Sequence, residues 1–220
     1  QEVALSIWLF YLLGYAINGY FTMIGLTRTI NTDIYTQSDG GTIMAFVQFG
    51  ALVSLVGYTL WTAREHLRIT WRAAVHPSTS QPGDFSMRGV YFLLIVGLSL
   101  MTGWFVSIGV PIWAALFFVL VASGTFLGIT RILCESGLAA TRAQLITPTV
   151  VSTTFGTGVL GQSGAIGVLA YGQVWMSDVR TFVMAAAANG LKVTESITRK
   201  GVVFWAMILA VVIGVVVSVW

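Results

Sequence analysis

Arg131 and Glu135 stand four residues apart in the run TRILCESGL, a spacing that puts a cation and a carboxylate on one face of a helix. Two chemistries suit such a pair. As a boundary ion pair it contributes about 0.2–0.5 kcal/mol. As a partly buried carboxylate, Glu135 would accept and release a proton and so gate or couple the passage of another species. Arg142 follows, a second cation for that carboxylate or for an anionic group. Beyond it come the neutral donors and acceptors Gln144, Thr147, Gln162 and Ser163, within a hydroxyl-rich run (Thr147, Thr149, Ser152, Thr153, Thr154) that holds Pro148.

Gly158, Gly161, Gly164 and Gly167 recur every three residues in the same stretch. On a helix they form a smooth stripe that lets another helix approach closely. The alternative is backbone amides and carbonyls left open to a ligand or ion. A nucleotide-binding loop is excluded, because no strand precedes the glycines and no Gly-Lys-Ser/Thr follows.

Few other residues invite chemistry. His66 and His76 lie in an arginine-rich segment with no cysteine or carboxylate pattern to make a metal site of them, and read as solvated. Asp178 and Arg180 open an amphipathic segment, where an aspartate suits a helix start. Cys134 is the single cysteine, so no internal disulfide forms, and it reads as a small buried residue. With no Ser-His-Asp, paired-carboxylate or metal-ligand constellation, the residues predict no enzyme, no metal and no cofactor.

The elements that position these groups follow from hydropathy. Of 220 residues, 56% are hydrophobic and 9% charged, and the mean hydropathy is +0.86. Soluble domains carry about 25% charged residues, so the composition predicts an integral membrane protein with the lipid bilayer as its first partner. The net charge of +3 is modest and forms no run of the kind that tracks nucleic acid, which removes that class. An apolar run opens at Val3 and another is still in progress at Trp220, so the chain reads as a single transmembrane domain cut from, or a shortened relative of, a longer protein.

A spanning helix needs about 20 mostly apolar residues. Residues 3–26, 42–62, 89–110, 112 to about 130, and 201–220 meet that requirement. Asn18, in the first, should face protein. Between the second and third spans, Arg64, Arg68 and Arg72 line one helical face, flanked by Trp61 and Trp71, with Arg88 beyond. The turn around Pro111 carries no charge. The positive-inside rule therefore makes residues 63–88 cytoplasmic and the 27–41 loop and the Pro111 turn external. Residues 178–200, with Arg180, Lys192, Arg199 and Lys200, read as a cytoplasmic-face amphipathic helix broken near Asn189–Gly190.

One stretch does not fit this alternation. Residues 131–142 and 178–200 are both positive and belong on one side, yet residues 144–172 are too few for two crossings at about 20 residues each. The sequence therefore predicts a re-entrant or broken-helix hairpin. Polar, glycine-broken backbone is tolerated at membrane depth only where protein buries it or it lines a cavity, and transporters commonly place substrate and ion sites in such segments.

Three motifs carry a family resemblance. They are His66-Leu67-Arg68 at a helix exit, Gly103-Trp104 before a small-residue turn, and Thr130-Arg131-Ile132 followed by Glu135, Gly137 and Leu138. With Trp175, Asp178, Arg180 and Thr181, this pattern over residues 50–200 resembles large, uncharacterised bacterial membrane proteins near the oligopeptide-transporter superfamily. Val183-Met184-Ala185-Ala186 stands where a Met-Pro-His-Gln motif is expected, which leaves any role of that His and Gln without a carrier here. The resemblance implies an all-α, many-helix bundle in the bacterial inner membrane. It implies a transporter fold and names no substrate; with Arg131 and Glu135 read as the gating or coupling pair, the expectation is a secondary, proton-coupled transporter whose small-molecule or peptide substrate is left open. A non-transporting subunit that packs against copies of itself or other membrane subunits is the competing expectation.

Overall fold

The computed structural model describes residues 2–25, 41–75, 87–137, 141, 145–173, 183–193 and 200–219, and the elements they form are all helical. In chain order these are α1 (Glu2–Met23), α2 (Gly41–Thr62), α3 (Arg64–Val75), α4 (Met87–Ser107), α5 (Ile112–Ser136) and α6 (Thr147–Ile166). A π-helical turn over Gly167–Tyr171, α7 (Val183–Val193) and α8 (Lys200–Val219) complete them. The stretches Ala4–Met23, Met44–Thr62, Arg88–Ser107 and Ile112–Ser136 are each long and apolar enough to cross a membrane. The fold is thus that of a polytopic helical membrane bundle.

α5 is the hub. Half of its most apolar window is buried in the bundle, against 6% for each of the other three spans. α4 returns to it through a turn built by the sequence itself. Gly109 takes φ +100, its N–H bonds to Val106, and the Val110 N–H reaches back to Phe105. This is the glycine-terminated 6→1 and 5→2 pattern that stops a helix. Pro111 then leads directly into α5. Phe105 and Phe118 close the hairpin with ring centroids 4.5 Å apart, both fully buried.

α2 runs parallel to α5. Gly128 lies under Leu52 and Val56, so close that a Cβ there would meet Leu52 Cδ1 at 2.8 Å. α7 covers the far end of α5, where Ile129, Leu133 and Ala185 form a small buried cluster. Lipid is as apolar as leucine, so such contacts hold helices together through close packing rather than through removal of surface from water.

Four of the five expected spans lie within a few residues of the observed ones, while over the fifth, 201–220, α8 carries a shorter apolar stretch, Trp205–Gly214, among the described residues; two further corrections follow. α5 does not stop near Thr130 but runs to Ser136, ended by Gly137 in the left-handed conformation with its N–H on Leu133 O. Arg131 and Glu135 pair along the helix, so the first charge after the apolar run does not end it. The expected break at Asn189–Gly190 is also absent, since α7 continues through both residues. Gly190 instead leaves room for Met207 of α8, whose Sδ would lie 3.9 Å from a Cβ there.

Residues 147–172 fold back on themselves. A continuous helix would carry Gly172 about 36 Å from Pro148, yet a Cβ on Gly172 would sit 3.4 Å from Pro148 Cγ and 2.9 Å from the Phe118 ring. The reversal is made at two glycines inside α6, Gly156 (φ 75, ψ 154) and Gly161 (φ 71, ψ 170). Both hold a backbone conformation essentially closed to other residues. The ascending arm places Phe155 against Trp113 and Phe117, with ring centroids 4.8 Å and 5.0 Å away. The descending arm rests on the α4–α5 turn through Gly164 against Pro111 and Gly167 against Val110.

The glycine stripe therefore divides. Gly164 and Gly167 are pressed against Pro111 and Val110, whereas Gly158 and Gly161 have nothing within 4 Å of an added Cβ. A period of three makes one stripe only on an unbroken helix, and the breaks at Gly156 and Gly161 rotate the two halves apart. This yields a paired prediction. Gly167→Ala forces a methyl group to 2.5 Å from Val110 Cγ2 and should lower stability by about 1–3 kcal/mol. Gly158→Ala, at a helical and open position, should be neutral or raise it by up to about 1 kcal/mol. Thermal unfolding of the two variants in mild detergent measures both.

Candidate functional site

The polar candidates fall at three heights along α5. At its C-terminal end, Arg131 Nε donates to Glu135 Oε1 at 2.7 Å. The same guanidinium donates through Nη1 to Thr59 Oγ1 of α2 and lies 5.8 Å from the centroid of the Tyr58 ring. Thr59 is prepared for this role, because its own hydroxyl proton goes to Leu55 O at 2.6 Å and leaves lone pairs to accept from the arginine. Arg131 thus ties α2 to α5, one turn beyond the contact at Gly128.

Glu135 is 62% exposed on this side of the bundle, while the Arg131 side chain is 25% exposed. The partial burial that a proton-accepting role called for is not found at the carboxylate. What the geometry supplies is an ion pair that orients the guanidinium toward Thr59. Cys134, next to it, is exposed rather than buried, because Leu133 takes the inward position on that turn.

The second height is the start of α6, level with Phe118 and Val121 and about 15 Å along α5 from Arg131. Leu145, Val150 and Ala45 form a buried cluster against Phe49 and Val121, and Ile146 and Val151 join the main core. Thr147 opens the helix at zero exposure. The residue before it, Ile146, offers no side-chain cap, and Pro148 brings no N–H. Among the described residues the Thr147 hydroxyl has no hydrogen-bond partner. Its neighbours in the hydroxyl run behave differently. Ser152 and Thr153 donate to Thr149 O, and Thr154 to Val150 O, so their protons are spent one turn back on their own helix.

The third height is the Pro111 turn. Gln162 and Ser163 are both exposed there, and Ser163 Cβ lies 3.1 Å from where a Cβ on Gly109 would be. The structure therefore does not gather the expected residues into one site. It strings them along the bundle, with Arg131 and Glu135 at one end, Thr147 midway and Gln162 and Ser163 at the other. Arg142, Gln144, Asp178 and Arg180 lie outside the described residues.

Sequence reasoning missed Tyr58 and Thr59, which sit in an apolar span with nothing to mark them. It also missed Gly156 as the first break, one glycine among several. A buried hydroxyl without a partner costs about 1–3 kcal/mol. Thr147→Val keeps the shape and removes the hydroxyl, so it should stabilise the protein by about 1 kcal/mol in detergent. Destabilisation of similar size would show that the hydroxyl is bonded after all.

The whole chain, residues 1–220, matches one protein family, described as a family of unknown function (DUF6785). No curated protein and no solved structure matches it. That description names no activity, substrate or partner, and carries no link to oligopeptide transporters. The chain belongs to the DUF6785 family.

Proposed function

We propose that this protein is a secondary transporter of the oligopeptide-transporter type, in which the broken hairpin of α6 lines the path of a small-molecule or peptide substrate. The observation that carries the proposal is the Thr147 hydroxyl. It is fully buried at mid-height, at the start of a broken helix, with no partner among the described residues. Buried polar groups are rarely left unbonded, and those that are call for a reason such as a ligand or water. Discontinuous helices near the midplane are where transporters hold cargo.

The three heights read as successive stations. Arg131 and Glu135 stand at the end that also carries Arg88 and the arginines of α3, the cytoplasmic end by the positive-inside rule. Gln162 and Ser163 stand at the Pro111 turn, the external end. In the observed arrangement Thr147 is sealed from both, as the closed state of an alternating-access cycle requires. Arg131, bridging α2 and α5, is the joint whose release would let those helices part at the cytoplasmic end.

A second reading has its own support. Gly164, Gly167 and Gly172 are pressed against Pro111, Val110 and Phe118, which is the packing of a static structural element. On that reading the chain is an accessory subunit, and the apolar faces of α1 and α8 meet other membrane subunits or copies of itself.

Single cysteines at 147 and 163 in a Cys134→Ser background separate the two. In proteoliposomes, Ser163→Cys should react at once with a membrane-impermeant thiol reagent. Thr147→Cys should react slowly, from either side, and faster after Arg131→Ala. Complete protection of position 147 over hours, with 163 reactive, would contradict transport and leave the accessory-subunit reading.

A further inference from the structure

We infer that α3 lies in the membrane surface and that Arg64, Arg68 and Arg72 hold the phosphates of anionic phospholipids. The argument starts from height. α2 is parallel to α5, and Thr59 meets Arg131, so α3 begins about 7 Å beyond Arg131, at the level where α5 ends. α4 is antiparallel to α5, so its first turn lies at that same level. The last turn of α3 is bound there: Arg88 donates through Nε to Ala74 O at 2.9 Å and through Nη2 to Val75 O at 3.0 Å. Both ends of a helix about 18 Å long are thus held at one height, and α3 runs across the end of the bundle rather than away from it.

Which face it buries is equally defined. The Thr70 and Tyr91 hydroxyls are 2.9 Å apart, and the Trp71 and Tyr91 rings meet edge to face at 5.2 Å. With Ala74 buried, the face of Thr70, Trp71 and Ala74 is the one docked on α4. The arginines at 64, 68 and 72 stand four residues apart in a row that begins beside Trp71, at the border of this face, and turns away from Thr70 and Ala74, all exposed. Among the described residues none of them pairs with a carboxylate. Arg64 lies over the exposed Trp61 ring at 4.6 Å, which leaves the edges of its guanidinium free for a planar, forked contact with phosphate oxygens. Ile69 is exposed as well, and Trp71, though one side of its ring meets Tyr91, keeps half of its surface open beside the arginines, where tryptophan suits a headgroup boundary.

The arginine row is basic and next to helices long and apolar enough to be bathed in lipid, so the anion nearest to it is a phospholipid headgroup. Nothing in this inference depends on transport.

The test uses the full chain in mild detergent, with thermal unfolding followed as phosphatidylglycerol or phosphatidylcholine is added. Phosphatidylglycerol should raise the midpoint by several degrees more than phosphatidylcholine. The R64Q/R68Q/R72Q variant should keep the phosphatidylcholine value and lose most of that extra rise, while R64K/R68K/R72K should retain much of it. Equal shifts from the two lipids, or an undiminished phosphatidylglycerol effect in the glutamine variant, would overturn the inference. So would an equal shift from inorganic phosphate, which would assign the arginines to a soluble anion. If the triple glutamine variant does not fold, R68Q alone must lose part of the rise.

Discussion

Inside a bilayer there is no water to satisfy a backbone amide or carbonyl, so a break in a helix must be covered by protein. That constraint shapes this molecule. Gly156 and Gly161 depart from helical geometry within five residues of each other, whereas the other long helices among the described residues run without such a break. The arms on either side of the break are covered from one place, the turn between α4 and α5 and the first half of α5, while residues 157–159 and 161–163 between them stand exposed at the level of that turn. Gly164 on Pro111, Gly167 on Val110, Gly172 on Phe118, and Phe155 between Trp113 and Phe117 fasten both arms to it. Even the turn is prepared for this, with Gly109 at positive φ and Ser163 seated against it.

The other half of α5 follows different rules. It has no broken helix to cover and instead gathers charge. Arg131 is paired along its own helix and bonded across to Thr59, and Arg88 closes the end of α3 through two carbonyls. One helix thus serves an apolar, tightly packed end and a basic end. Thr147 lies between the two, at the height where the hairpin begins.

Much of this could be read from the residues. The spans, the Pro111 turn, the Arg131–Glu135 pair and the need for residues 144–172 to turn back all follow from hydropathy, spacing and charge. The failures have a common physical origin. The role of a glycine depends on what lies opposite, and Val110 or Pro111 is not adjacent in sequence to Gly167 or Gly164. Gly158 and Gly161 look the same in the pattern but face open space. Thr59 is separated from Arg131 by 72 positions, so local spacing points the arginine only to Glu135. The exposure of Glu135 likewise depends on how α2 and α5 meet, which local spacing does not encode.

The fold-back of residues 147–172 is the claim on which the rest stands, and a cross-link tests it most directly. Cysteines placed at 148 and 172 in a Cys134→Ser background should form an intramolecular disulfide under mild oxidation, visible as a reduction-sensitive mobility shift at unchanged oligomeric size. A continuous helix holds those positions about 36 Å apart. Failure to cross-link in the folded protein, with both thiols reactive after unfolding, would contradict the hairpin and with it the path proposed along α5.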